Sequence, residues 1–316
     1  SAVCYAASTA PGRLTRSTAT SAPRSPPCGS RPSFNLRRVI VRKTPAEVAK
    51  IAAAGEIVAE CLRELRRHAR AGVRTRDLDA IAERLIRARG GRPAFKGYHG
   101  YPASICASPN SLVVHGIPDD YELAYGDVLS IDVGVELDGW IADAALTVVV
   151  GQASPLARRL IDATRAALYD GIAQARPGNR LGDISHAVQR RVEEAGFSVI
   201  RSLVGHGVGR AMHEDPQIPN FGSPGTGPRL EEGMVLAIEP MVNAGGHEVE
   251  LGADSWAVYS RDGSLAAHFE HTVAVTREGP LVLTPWDDQA PQWLAVTRRD
   301  AEAIHPARVS AQAQRE

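Results

Sequence analysis

The run Val128-Leu129-Ser130-Ile131-Asp132-Val133-Gly134-Val135-Glu136-Leu137-Asp138-Gly139-Trp140-Ile141-Ala142-Asp143-Ala144-Ala145-Leu146-Thr147 reads as two strands and the turn between them. From Val128 to Val135 apolar residues alternate with small or polar ones, the period of a strand with one buried face, so Asp132 shares a face with Ser130 and Gly134. Asp138-Gly139 makes a two-residue hairpin turn because both positions tolerate positive φ, and the run from Trp140 to Val150 returns antiparallel. Closing the hairpin there pairs Gly134 with Asp143 and Asp132 with Ala145. Directly opposed residues point to the same side of a sheet. Asp132 and Asp143 therefore become diagonal neighbours about 7 to 8 Å apart at the backbone, a span that one or two cations bridge. Without such a counter-charge, two carboxylates in an otherwise apolar hairpin repel each other. The alternative is an exposed face with two solvated aspartates; the Val- and Ile-rich strands count against it, Asp being a poor strand former.

His206, Glu239 and Glu270 follow in further short strand-like runs. Four carboxylates and one imidazole form the ligand set of a two-metal hydrolytic site, and this donor set suits Mn, Fe or Co better than a thiolate-seeking Zn. Two other motifs fail on spacing. His213-Glu214-Asp215-Pro216-Gln217 lacks the second histidine of H-E-x-x-H, and Gly205-His206-Gly207-Val208-Gly209-Arg210 lacks the third glycine of a nucleotide loop at the required spacing.

The first half of the chain echoes in the second. Thr44-Pro45 opens a helix reaching about His68, and Thr75 to Arg89 forms another, ended by Gly90-Gly91; later come helices at Leu156–Ala175 and Asp183–Ala195. Arg70 to Leu78 overlays Arg176 to Ile184 at an offset of 183 − 77 = 106, and the same offset carries Asp132 to position 238, beside Glu239. The pattern predicts an α+β architecture of two helix-helix-sheet halves, each lending carboxylates to a site between them.

Equal counts of Lys+Arg and Asp+Glu, 36 each in 316 residues, give no global field to draw nucleic acid or membrane, and no apolar stretch approaches a bilayer span. Cys4, Cys28, Cys61 and Cys106 form no C-x-x-C pair, which makes a reducing cytoplasm the default expectation. Residues 1–38 hold six arginines and no Asp or Glu, a composition that builds no core. They read as an organelle transit peptide, a basic arm touching a ribosome or another protein, a dispensable extension, or an over-extended gene start. A tail of little order is expected over 285–316, leaving 39–284 as the catalytic domain.

Six motifs now accumulate: Gly97-Tyr98-His99-Gly100-Tyr101-Pro102, Val114-His115-Gly116-Ile117-Pro118-Asp119-Asp120, Gly205-His206-Gly207-Val208-Gly209, Met212-His213-Glu214, Ala237-Ile238-Glu239-Pro240-Met241 and Phe269-Glu270-His271-Thr272. With them the chain resembles a type I methionine aminopeptidase of the pita-bread metallopeptidase fold. The resemblance implies two pseudo-symmetric halves around a curved antiparallel sheet. It implies hydrolytic removal of the initiator methionine from nascent polypeptides whose second residue is small, with two divalent ions. By the same resemblance Asp132 grips one metal, Asp143 and Glu270 bridge both, and His206 and Glu239 complete the second. Glu239 shuttles protons, His213 donates a hydrogen bond toward the peptide carbonyl and His115 orients the substrate backbone. Tyr98, Tyr101, Cys106, Met212 and Trp256 line the methionine pocket; taken singly, Cys106 and Met212 read equally well as core, and His99 and His186 as ordinary core or surface residues.

Three departures from that family stand out: His268 in place of the usual Gln, Ala144-Ala145 where hydroxyl or amide residues are usual, and Ser111 for an acid. The Ala pair predicts looser support of Asp143, and strand alternation puts His268 on the face of Glu270. A proline-directed peptidase of the same fold usually carries a large extra N-terminal domain, for which nothing before residue 39 leaves room. A non-catalytic pita-bread binding protein need not keep all five ligands.

Overall fold

A doubly capped helix opens the described part of this computed structural model, which comprises residues 39–288 and 290–291. The readings made for residues 1–38 and for 292–316 lie outside it. Thr44 accepts the Glu47 N–H through its hydroxyl while the Glu47 carboxylate accepts the Thr44 N–H, and Pro45 presets the first turn, so α1 runs Pro45–His68. Ile51, Ala54, Val58, Leu62 and Leu65 recur at three- and four-residue steps and are fully buried; each large one contributes about 1.5 to 3 kcal/mol. After α2 (Thr75–Ala88) come β1 (Arg92–Pro93), β2 (Ile105–Pro109), β3 (Leu112–Val114), β4 (Val128–Leu137) and β5 (Trp140–Val149).

The β4–β5 hairpin has the register read from the sequence: Gly134 opposes Asp143 and Asp132 opposes Ala145. Asp138 and Gly139 take φ of 51° and 77°, as the turn requires. β5 covers one edge of β4 along its length, so β2 and β1 share the other. The buried stripe of α1 packs on β4 and β5.

The second half repeats the plan with α3 (Pro155–Ala173) and α4 (Leu181–Glu194), followed by β6 (Ser198–Val199), β7 (Val204–Gly207), β8 (Glu214–Pro219), β9 (Val235–Ile238) and β10 (Met241–Asn243). β11 (Val249–Leu251), β12 (Val258–Ser260), β13 (Ala266–His268), β14 (His271–Thr276) and β15 (Gly279–Val282) complete it. The helix ends differ from the expected ones by one or two residues. Arg74 and Arg180, 180 − 74 = 106 positions apart, stand in the same place in the two halves. Each heads the second helix, gives its N–H to an aspartate three residues on, and makes an isolated antiparallel bridge to a distant residue, Glu122 or Arg229.

Every strand pairing is antiparallel, and the larger second sheet runs β15-β14-β9-β7-β8. A break in it matters for the site. β9 and β10 are one strand interrupted at Glu239-Pro240, and β13 and β14 one strand interrupted at Phe269-Glu270; Ile238 opposes His271 on one side of the gap and Met241 opposes His268 on the other. Pro240 has no N–H to continue the ladder. The Glu270 N–H is instead handed across to Ala145 O of β5, at 2.9 Å, which joins the two halves.

The chain beyond β15 corrects the expected tail. Residues 285–287 pack rather than dangle: Trp286 is 3% exposed, and Asp287 binds Arg165 through both carboxylate oxygens. α1 admits this segment at Gly55, where any Cβ would lie 2.0 Å from Leu283 O.

Candidate metal centre

Asp132 and Asp143 come from β4 and β5 and His206 from β7, whereas Glu239 and Glu270 sit in the two strand breaks, not inside strands as the sequence suggested. All five line one cavity of about 740 Å³ between the halves, together with His115, His213, Tyr98, Tyr101, Cys106, Met212 and Trp256. Every predicted site residue is thus gathered in one place. No Lys or Arg is among the described residues lining that cavity.

His206 is the most informative member. Its Nδ1 lies 2.9 Å from Gly207 O, a group that only accepts, so Nδ1 carries the proton and Nε2 presents a lone pair. That lone pair faces Asp143 Oδ2 at 3.5 Å and Glu239 Oε1 at 3.6 Å. Burial holds the His206 pKa down to about 4, so the ring is neutral near pH 7 and these contacts are not ion pairs. Donor atoms of Asp143, His206 and Glu270 all lie within 4.8 Å of one another. Acceptors so arranged repel unless a cation lies between them.

The carboxylates say the same. Asp143 and Glu270 are each 2% exposed, and burial first, neighbouring negative charge second, pushes Asp132, Glu239 and Glu270 well above the ordinary carboxylate range. Asp143 is raised by burial too, offset in part by the Thr272 hydroxyl. Asp132 Oδ1 is buried and has no hydrogen-bond partner among the described residues. Buried, mutually repelling and unpartnered oxygens fit a divalent cation, which removes the repulsion and fills the empty acceptor positions.

Support for Asp143 comes from an unexpected side. Ala144 and Ala145 supply no side-chain hydrogen bond, yet Asp143 is not loose: the Thr272 hydroxyl lies 3.0 Å from its Oδ1 and accepts its N–H at 3.1 Å. Thr272 stands two residues after Glu270, a spacing the sequence offered. His268 reaches a proposed ligand, the contact to the site that its place in the sequence suggested. It is not among the residues lining the cavity, and its Nε2 lies 3.5 Å from Glu239 Oε2. Asn220 Nδ2 donates to Glu239 O and pins the other break.

The remaining cavity walls differ in character. His213 is exposed toward the opening; the protein around it and the His206 ring lower its pKa, and Tyr98 Oη lies 2.8 Å from its Nδ1. His115, at φ 61°, holds a buried Nδ1 without a partner among the described residues. The Tyr101 ring stands edge-on to Trp256 at 5.0 Å, its hydroxyl tied to Ile105 O and Gly116 O. Burial keeps the Cys106 thiol protonated. His99, read as ordinary, lines the same cavity.

Paired helix-helix-sheet halves with an acidic cleft between them define a pita-bread metallopeptidase. The sequence pattern of metallopeptidase family M24 matches residues 49–277. Methionine aminopeptidase 1 of Bacillus subtilis is 51% identical over 246 residues, covering 78% of this chain and 99% of that protein. Its namesake in Mycobacterium tuberculosis is 50% identical over 255 residues, covering 78% and 96%. The crystal structure of a methionine aminopeptidase from Thermotoga maritima superposes with a TM-score of 0.77 at 46% identity, covering 78% of this chain and 99% of that one. A prolidase from Pyrococcus furiosus is more distant, with a TM-score of 0.64, 25% identity and 66% of its length covered. The chain belongs to metallopeptidase family M24, among its type I methionine aminopeptidases. Family and buried cluster together make the cleft a divalent-metal site.

Proposed function

We propose that this chain removes the initiator methionine from nascent polypeptides whose second residue is small, using two divalent cations. The observation that carries the reading is the neutral His206, whose Nε2 lone pair faces two carboxylate oxygens at 3.5 and 3.6 Å. Asp132 would hold one ion, His206 and Glu239 the other, with Asp143 and Glu270 between them. Four carboxylates balance two dications in charge, and the oxygen-rich donor set favours Mn, Fe or Co. When bound, such a pair supplies a water of lowered pKa and polarises the scissile carbonyl.

The chain's own groups do the rest. Glu239 accepts the proton of the attacking water and returns it to the leaving amine. With Tyr98 donating to Nδ1 of His213, its Nε2 carries a proton and donates to the carbonyl oxygen as charge develops there. His115, on the cavity wall, orients the substrate backbone. Tyr98, Tyr101, Cys106, Met212 and Trp256 seat the methionine: a flexible thioether suits polarizable sulfur and aromatic edges. The prolidase likeness favours no second reading, at 25% identity against 51% to a methionine aminopeptidase.

The test is cleavage of Met-Ala-Ser and Met-Leu-Ser peptides by protein loaded with Mn, Co or Fe, with and without chelator, alongside Asp143→Ala. Cleavage of the first peptide only, silenced by the chelator and lost in the variant, is expected. Robust turnover by Asp143→Ala would overturn the metal assignment, and release of residues other than methionine would overturn the substrate.

A further inference from the structure

The segment just past β15 reads as a tail in sequence and yet closes over the strand that bears Glu270. Trp286 Nε1 donates to the backbone oxygen of Glu270 at 3.1 Å, and its ring stacks on His271 at 4.8 Å and on Phe269 at 6.0 Å, the two residues flanking that glutamate. With the Glu270 N–H given to Ala145 O, both backbone groups of Glu270 are held by residues outside its own sheet ladder. Thr284 accepts the Thr272 N–H at 3.1 Å, and Thr272 in turn holds Asp143.

One proton arrangement satisfies the whole buried row. Thr284 Oγ1 donates to His271 Nδ1 at 3.1 Å, His271 Nε2–H donates to Tyr169 Oη at 3.3 Å, and Tyr169 donates to Asp287 at 2.6 Å. Arg165 then closes on Asp287 with two hydrogen bonds, at 2.7 and 2.9 Å. The row ties the segment to α3, while Arg63 donates to Pro285 O and ties it to α1. Each tether is a buried or part-buried hydrogen bond, so the segment is a rigid strut behind the cleft.

We propose that Trp286 and Asp287 are positioning residues that hold Glu270, and through Thr284 and Thr272 also Asp143, at the spacing the cations require, and so set metal affinity. This rests on the reading of Asp143 and Glu270 as ligands. Without the indole N–H, Glu270 O loses its partner and the strand break, which has no ladder of its own, is free to shift. Groups that orient ligands from behind are worth about 10- to 100-fold in affinity.

The experiment uses full-length protein stripped with a chelator and dialysed, then titrated calorimetrically with Mn²⁺, with the thermal midpoint of each metal-free sample recorded. Trp286→Phe keeps an aromatic ring but has no N–H; Asp287→Asn keeps the shape and lacks the charge facing Arg165. The expected result is a Mn²⁺ dissociation constant raised about tenfold or more in both variants, with kcat recovered at excess metal and the peptide KM unmoved. A merely structural strut would lower the midpoint and leave the dissociation constant of the folded protein unchanged, and that result overturns the proposal. Should Trp286→Phe fail to fold, Asp287→Asn decides alone by the same readout. Failure of the wild-type protein to bind Mn²⁺ would sink the metallopeptidase reading itself; wild-type binding with unchanged variants would sink only the positioning role.

Discussion

Lys43 and Glu214 form a buried ion pair across 171 positions, Nζ to Oε2 at 2.6 Å, with side chains 2% and 15% exposed. Gly209 leaves room for the lysine, whose Cε would lie 2.7 Å from any Cβ placed there. The other oxygen of Glu214 accepts the N–H groups of Arg210 and Ala211, so the pair ties the loop carrying Met212 and His213 to the strand-like entry into α1. Residues far apart in the chain thus decide where a proposed substrate-contacting histidine sits.

Lys43→Met removes one partner and leaves a mostly buried carboxylate without its counter-charge, a change that costs about 3 kcal/mol or more. The variant is expected to melt several degrees lower. Its peptide KM should rise with the loosened His213 loop while its Mn²⁺ affinity stays close to wild type. Unaltered melting and KM in a thermal and steady-state comparison would count against this role for the pair.

Thr272→Val deletes the hydroxyl that bonds both Asp143 Oδ1 and the Asp143 backbone, while keeping the β-branched shape a strand prefers. Metal affinity should fall about 10- to 100-fold. Calorimetric titration of the stripped protein checks it, and wild-type affinity would show that Ala144-Ala145 leave Asp143 supported by other means.

Chelation exposes the cluster's charge. Asp132, Glu239 and Glu270 then have folded pKa values above their unfolded ones, so the folded chain binds more protons and stability falls as pH rises through the raised values. His115, His206, His213, His268 and His271, all lowered, act oppositely, but only near and below their unfolded values. From about pH 7.5 upward the carboxylates dominate, because unfolded histidines are then mostly neutral. The thermal midpoint of the stripped protein is expected to drop across that window and to be restored by Mn²⁺. A stripped protein whose midpoint holds or rises there would show that the carboxylates do not repel as described.

The hairpin register was legible because it depends on alternation and on one turn whose two residues accept positive φ. The echo at 106 residues was legible too, as Arg74 and Arg180 bear out with the same local bonds. Glu239 and Glu270 were identified as residues but placed inside strands, because a strand break is a tertiary event: the Glu270 N–H leaves its ladder only when β5 of the other half is there to receive it. Trp286 was missed for a related reason. A short polar run after a proline reads as tail until α1, α3 and the Glu270 strand surround it.

By itself, then, the sequence determined the paired helices, the Asp138-Gly139 hairpin and the identity of the acidic and imidazole groups, since each follows from periodicity or chemistry within a few residues. Only the tertiary structure decided which groups brace them: Thr272 on Asp143 at a separation of 129 residues, Lys43 on Glu214 at 171, Trp286 on Glu270 beyond the last strand. Those contacts arise where two halves close on a shared seam. Their partners are chosen by the geometry of that closure, which short-range pattern does not encode.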